Sequence, residues 1–274
     1  MTVQQIIDRI IRKTKVGPLP YEKTCDRIAA GDPNAEVKKI VTTFMATVEV
    51  IKEAVRIGAD FIITHEPTWY TGKDDEEWCR NDPVYQAKKR LIEENGITIW
   101  RFHDHMHQAE KDGIYEGYEK ETGWGKYRME PAPGEEVFGA SYIIPKTTLR
   151  ELADFYKETL HMNVIQIVGD ADMPVERVGV LVGGGSLGLR CEAQTMEFMR
   201  RRKLDVAVCG DITEWTLTPY VRDSNALGMP MGMLMLGHER SEEWGMKHLV
   251  SWLQDIADGI EVVFVDTKEP FSYL

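Results

Sequence analysis

Residues 38–65, KKIVTTFMATVEVIKEAVRIGADFIITH, decide the fold. KKIVTTFMA (38–46) is a β-branched apolar run that reads as a strand. The next segment spaces Val48, Ile51, Ala54 and Val55 at helical intervals, and Gly58 supplies a stop. ADFIITH then reads as a buried strand. The rhythm repeats with DPVYQAKKRLIEENG, where Pro83 stands near the start and Gly96 follows the end, and with ITIWRFH as another strand. Strands alternating with helices in this way imply parallel pairing through crossover connections.

Outward from that core, MTVQQIIDRIIRKTK places Val3, Ile6, Ile7, Ile10 and Ile11 on an amphipathic helix. It lacks the continuous apolar centre and cleavage site of a secretory signal. Periodicity is lost at GWGKYRMEPAPGEE (123–136), where we expect a boundary between lobes. Beyond it, VFGASYII, NVIQIVG, RVGVLVGG, LDVAVCGD, MGMLMLG and EVVFVD read as strands. TTLRELADFYKETLHM and segments near 191–202, 214–227 and 239–257 read as helices. The expected architecture is α/β, with two α/β lobes built on mixed, largely parallel sheets with helices on their faces. Residues 1–128 and 231–274 are expected to form the metal-ligand-bearing lobe and 129–230 the second.

The 274 residues, 43% hydrophobic and 28% charged, are enough for a substantial core. A formal net charge of −12 argues against a nucleic-acid or anionic-membrane partner. No stretch approaches the roughly 20 apolar residues of a membrane span, so the cytoplasm is the expected location. Cys25, Cys79, Cys191 and Cys209 lie far apart without a CxxC pair and read as ordinary reduced thiols.

Three segments carry ligand-type side chains just beyond strands. THEP puts His65 and Glu66 at a strand's carboxyl end, where open parallel sheets expose their ligand sites; the alternative is a solvated strand-end turn. FHDHMHQ holds His103, Asp104, His105 and His107. An extended segment would align the three histidines, a helical turn would pair His103 with His107, and an exposed polar loop would use none of them. A carboxylate such as Asp104 would orient one ring. GHERSEE sets His238 and Glu242 four apart, so a helix starting there aims both at one point; otherwise its acids serve the helix dipole. Because all three follow strands, we expect them to leave one edge of one parallel sheet. His161 and His248 fall inside helical patterns and read as packing or surface residues. GGGS (183–186) reads as a tight strand-to-helix turn, with an anion contact on its amides as the alternative; Gly210 and Asp211 end another strand nearby.

At these residues the chain resembles the family of dinuclear-metal-centre hexameric proteins, often labelled type 2 GTP cyclohydrolase I. AGDPNAEVKKIVTTFMATVEVIKEAVRIGADFIITHEP (30–67) is similar to the family's N-terminal block, the GGGS and CGD turns to its middle landmarks, and GHERSEE to its Gly-His-x-x-x-Glu motif. Where the family has two adjacent histidines this chain has His65 and Glu66. Where the family's His-Thr-x-x-Asp places an aspartate ligand, this chain has His107.

The resemblance implies that His65, Glu66, His107, His238 and Glu242 bind two divalent ions; their mixed nitrogen and oxygen donors suit zinc, iron, manganese, cobalt or nickel, and we expect His103 or a neighbour to move protons as the catalytic residue. The resemblance also implies a homohexamer and a nucleotide or other small anionic substrate opened by hydrolysis. The competing reading is a non-catalytic metal-binding scaffold or regulatory assembly.

Overall fold

The computed structural model describes residues 1–131, 138–188 and 191–274. Residues 132–136 of the expected break therefore lie outside the described residues. The chain divides into two compact units, Met1–Gly117 with Glu243–Pro270, and Tyr118–Glu242 with Phe271–Leu274.

The first unit begins with α1 (Val3–Thr14), β1 (Ile28–Ala30), β2 (Lys39–Thr43), α2 (Val48–Arg56) and β3 (Phe61–Thr64). It continues with α3 (Pro83–Glu94), β4 (Thr98–Arg101), the short α4 (Asp104–Gln108) and the start of α5 (Gly113–Thr122). The second unit holds β5 (Ala140–Thr148), α6 (Leu149–Thr159), β6 (Gln166–Val168), β7 (Pro174–Leu181), α7 (Ala193–Arg202), β8 (Val206–Cys209), α8 (Leu217–Ala226) and β9 (Gly232–Met235). Helix α9 (His238–Leu253) opens in the second unit and ends in the first, where β10 (Glu261–Phe264) follows.

The helices start where capping chemistry says they should. Thr47 Oγ1 accepts the Val50 N–H at 3.2 Å to open α2. Asp82 Oδ1 accepts from Val84 and Tyr85 at 2.8 and 3.1 Å ahead of Pro83 in α3. Thr148 and Glu151 exchange hydrogen bonds at the head of α6. Each such cap contributes about 1 kcal/mol.

The first sheet has the order β1-β4-β3-β2-β10, with β10, β2, β3 and β4 parallel and β1 antiparallel at the edge. Its inner strands carry almost no polar face because helices cover both sides: Ile40, Val41, Phe61, Ile62, Ile63 and Ile99 are fully buried. Thr43 pairs with Thr64 and Thr64 with Arg101, so the chain leaves β3 and β4 at one end, side by side. His65 and His103 follow directly.

The second sheet has the order β5-β7-β8-β9-β6. Its centre, β7, β8 and β9, is parallel, and both edges are antiparallel. Leu181 pairs with Cys209 and Cys209 with Met235, which brings Gly183, Asp211 and His238 out at one carboxyl edge. Mixed, largely parallel sheets are therefore what the chain builds.

The expectation of a single sheet edge needs correction: THEP and FHDHMHQ leave the first sheet, whereas GHERSEE follows β9 of the second. The apolar run of β9 suits any buried parallel strand. Its place is decided by pairing with β8, Val208 opposite Leu234, a choice its local pattern does not contain.

Candidate metal centre

In the first unit the HDHMH segment is a helical turn, not an extended run. Asp26 makes it so. Its Oδ1 accepts the backbone N–H groups of His103 and Asp104, both at 2.7 Å, and its Oδ2 accepts that of His105 at 3.0 Å, so one carboxylate caps α4. The turn brings His103 and His107 together, with ring centroids 4.7 Å apart. His65, wholly buried, stacks on His103 at 4.5 Å and meets His107 edge-on at 5.0 Å. One ligand atom from each of the three rings lies within 4.8 Å of the others.

Each of these rings is held from behind. His65 Nδ1 faces the Phe102 carbonyl at 3.1 Å, His103 Nδ1 faces Asp104 Oδ1 at 3.0 Å, and His107 Nδ1 faces Asp112 Oδ2 at 2.9 Å. An oxygen acceptor fixes the proton on Nδ1 and turns the Nε2 lone pair toward a cation, the usual support of a metal-ligating imidazole. Asp112 is itself anchored, accepting at Oδ1 from Ile114 and Tyr115 as α5 begins. Burial, with repulsion from His103 and His107 behind it, holds His65 well below the ordinary histidine range, so the ring is neutral and competent as a ligand. The hydrogen bond to His103 holds the Asp104 carboxyl below the usual carboxylate range.

Glu66 leaves the same strand end and meets a buried cation. Arg101 donates from Nη2 to Glu66 Oε2 at 2.9 Å, from Nε to the His65 carbonyl at 3.0 Å and from Nη1 to the Gly72 carbonyl at 2.8 Å. The other carboxylate oxygen, Oε1, lies 3.7 Å from His103 Nε2.

His105 takes no part in the three-ring group. It is buried, with Nδ1 on Asp26 Oδ2 at 2.6 Å and Nε2 on the Gly17 carbonyl at 2.9 Å. Cys25 lies within reach of His103 and Asp104, and burial pushes its thiol up to about 12.

In the second unit, His238 opens α9 and puts Nε2 3.1 Å from Glu242 Oε2 one turn on, while its Nδ1 faces Asp211 Oδ2 at 2.7 Å. The GGGS turn is packed against this pair. Gly183 donates its N–H to Ser241 Oγ at 2.9 Å, Gly185 donates to the Val182 carbonyl at 3.0 Å, and Asp211 N–H bonds the Gly183 carbonyl at 2.9 Å. Two of the turn's amides, those of Gly183 and Gly185, are thus already bonded within the protein, which favours the tight-turn reading over an anion cradle. A Cβ on Gly183 would fall on Glu242 Oε1 and stand 2.8 Å from His238 Nε2.

This donor set fits a divalent ion of borderline softness: imidazoles with fixed tautomers, backed by carboxylates. A model of the Duf34/NIF3 family (NGG1p interacting factor 3) matches residues 1–270. The chain belongs to the Duf34/NIF3 family.

Among the relatives of this Duf34/NIF3 chain, a GTP cyclohydrolase 1 type 2 homolog of Vibrio cholerae is 26% identical over 280 residues, 96% of this chain and 98% of that one. The homolog of the same name from Escherichia coli is 25% identical over 250 residues, 85% of this chain and 86% of that one. Two solved structures share the fold: a Bacillus cereus protein related to NIF3, at a TM-score of 0.76 and 16% identity over 100% of this chain and 99% of that one, and protein ybgI, of unknown function, at 0.74 and 22% over 99% and 100%.

The first unit of the Duf34/NIF3 chain thus groups His65, Glu66, His103 and His107, and the second groups His238 and Glu242. Sequence reasoning took Asp104 as an orienting carboxylate but missed Asp26, Asp112 and Arg101. The Asp-Gly step at Asp112, opening a helix five residues after His107, was the readable signal; Asp26 and Arg101 left none. Among the described residues no helix is long and apolar enough to cross a membrane.

Proposed function

We propose that this chain is a metal-dependent hydrolase of a nucleotide or similar small anion, working with two divalent ions as a homohexamer. The candidate donors are His65, Glu66, His103 and His107 in the first unit and His238 and Glu242 in the second. The observation that carries the reading is the fixed tautomer: His65, His103, His107 and His238 each have Nδ1 against an oxygen. His105, packed for structure, shares the Nδ1 contact but also sends its Nε2 to the Gly17 carbonyl and stays outside the three-ring group of His65, His103 and His107. The name GTP cyclohydrolase 1 type 2 homolog on the relatives supports a nucleotide substrate, and the resemblance to a hexameric family supports the assembly.

When bound, divalent ions supply Lewis acidity and activate water for hydrolysis. The chain's own residues set the conditions. Asp104, Asp112 and Asp211 hold the rings in register, and the burial of His65 keeps solvent from its inner side. Glu66 and Glu242 bring two negative charges toward donors that are otherwise neutral, which leaves room for an anionic ligand.

Elemental analysis of protein purified without added metal or chelator tests the proposal, followed by hydrolysis assays over a panel of nucleoside triphosphates. About two transition-metal ions per chain, fewer in His238→Ala, with turnover abolished by chelation, is the expected result. A chain that takes up no metal even on reconstitution would end the reading.

A further inference from the structure

The family pattern and this chain differ at Glu66, and the structure supplies a partner for the exchange. Arg101 is buried on β4, beside the strand that ends in His65, and spends its guanidinium on the His65 carbonyl, the Gly72 carbonyl and Glu66 Oε2. A carboxylate bound this way has its charge offset and its rotamer fixed. To serve as a donor through Oε2 it would compete for its electrons with the Arg101 guanidinium. His103 stands opposite in every respect. Its ring lies in the three-imidazole group, its Nδ1 is held by Asp104, and its place as the residue capping α4 is set by Asp26.

We infer that Glu66 and His103 have exchanged the roles the resemblance assigns them: the ion of the first unit sits on His65, His103 and His107. Glu66, clamped by Arg101, stays outside its coordination shell. This rests on the proposed metal centre and refines it. Three neutral imidazoles leave the charge of a divalent ion uncompensated at that position, so its open coordination favours an anionic ligand, a hydroxide, carboxylate or phosphate oxygen. Glu66 Oε1, 3.7 Å from His103 Nε2, then borders that ligand position rather than filling it. Arg101 is a positioning residue in this scheme, holding the carboxylate back.

The test is zinc content per chain after reconstitution and removal of excess metal, for wild type, Glu66→Gln and His103→Ala, with X-ray absorption fine structure on the zinc-loaded wild type and Glu66→Gln. The expected outcome is that Glu66→Gln keeps its zinc and an unchanged imidazole signal, while His103→Ala loses about one ion per chain. Loss of an ion from Glu66→Gln, or full retention in His103→Ala, overturns the exchange while leaving the metal centre standing. A wild type that binds no zinc overturns the metal centre itself. Should Glu66→Gln fold poorly because Arg101 is stranded, the double variant Arg101→Met with Glu66→Met removes both charges together and is expected to retain zinc; loss of an ion from that folded variant counts against the exchange.

Discussion

Asp26 Oδ2 lies 2.6 Å from His105 Nδ1, and both side chains are almost wholly inaccessible, at 2% and 4% exposure. The pair joins the loop before β1 to the turn that presents His103 and His107, and the same carboxylate caps that turn. His105 is therefore the histidine that holds the other two in place. Asp26→Ala is expected to lower stability by about 3 kcal/mol, the order seen when one member of a buried pair is removed. It should also weaken zinc binding by at least about tenfold, because α4 loses its cap. Urea unfolding and zinc titration of the same preparations measure the two effects; an unchanged affinity in the folded variant would show that α4 keeps its shape without Asp26.

Gly183 makes an equally specific demand. Its φ is +49° and its missing Cβ is the space in which Glu242 and His238 sit. Gly183→Ala is expected to cost about 1–3 kcal/mol and to displace Glu242, lowering metal content. Gly185→Ala is the control, since a Cβ there meets nothing within 4 Å. The two alanine variants differ in what the methyl group strikes and in the positive φ of Gly183, so equal melting temperatures and metal contents would refute the packing argument.

Sequence pattern alone located the elements that bear the chemistry, because strand ends and ligand-type residues are local facts. It read β2, α2 and β3 in order, placed His65 at a strand terminus and put His238 and Glu242 one helical turn apart. What it lacked was long-range. Asp26 lies 77 residues from His103, Arg101 lies 35 from Glu66, and the place of β9 depends on its pairing with β8. The HDHMH turn was ambiguous for the same reason: five residues do not make a stable helix unaided, and the carboxylate that stabilises this one comes from elsewhere in the chain. The three-residue β1 and the helix α5 carried too little periodicity to be read at all.

The cysteines separate by exposure. Cys191 is exposed, whereas Cys79 and Cys209 are buried, and burial pushes Cys25 and Cys209 up to about 12. Alkylation of the native protein near neutral pH is expected to label Cys191 first, with the other three reacting only on unfolding. Cys25→Ser should leave metal content unchanged, as the inferred ion of the first unit sits on His65, His103 and His107. Peptide mapping after brief iodoacetamide treatment checks the first expectation; rapid labelling of Cys25 in the metal-free protein would contradict it.

Lys88 gives the fold a pH dependence that can be isolated. Its Nζ is buried in α3, donates to the Thr68 carbonyl at 2.7 Å and stands 5.0 Å from the centre of the Tyr70 ring. Burial lowers its pKa from 10.5 to about 8, against the opposing pull of Asp74 and Glu49. The folded state thus gives up the proton before the unfolded state does. Below about pH 8 both states carry it and the burial cost is present in full. Between 8 and 10.5 the unfolded chain binds more protons, so stability rises with pH, by about 3 kcal/mol across the window for this group. Tyrosines and cysteines titrating in the same range act on both wild type and variant, so the informative quantity is the difference. Lys88→Met is expected to gain most over wild type below pH 8 and to lose that advantage as pH approaches 10.5. Urea midpoints at a series of pH values read this directly, and a difference that stays flat from pH 7 to 10.5 would mean that the buried amine keeps its ordinary basicity.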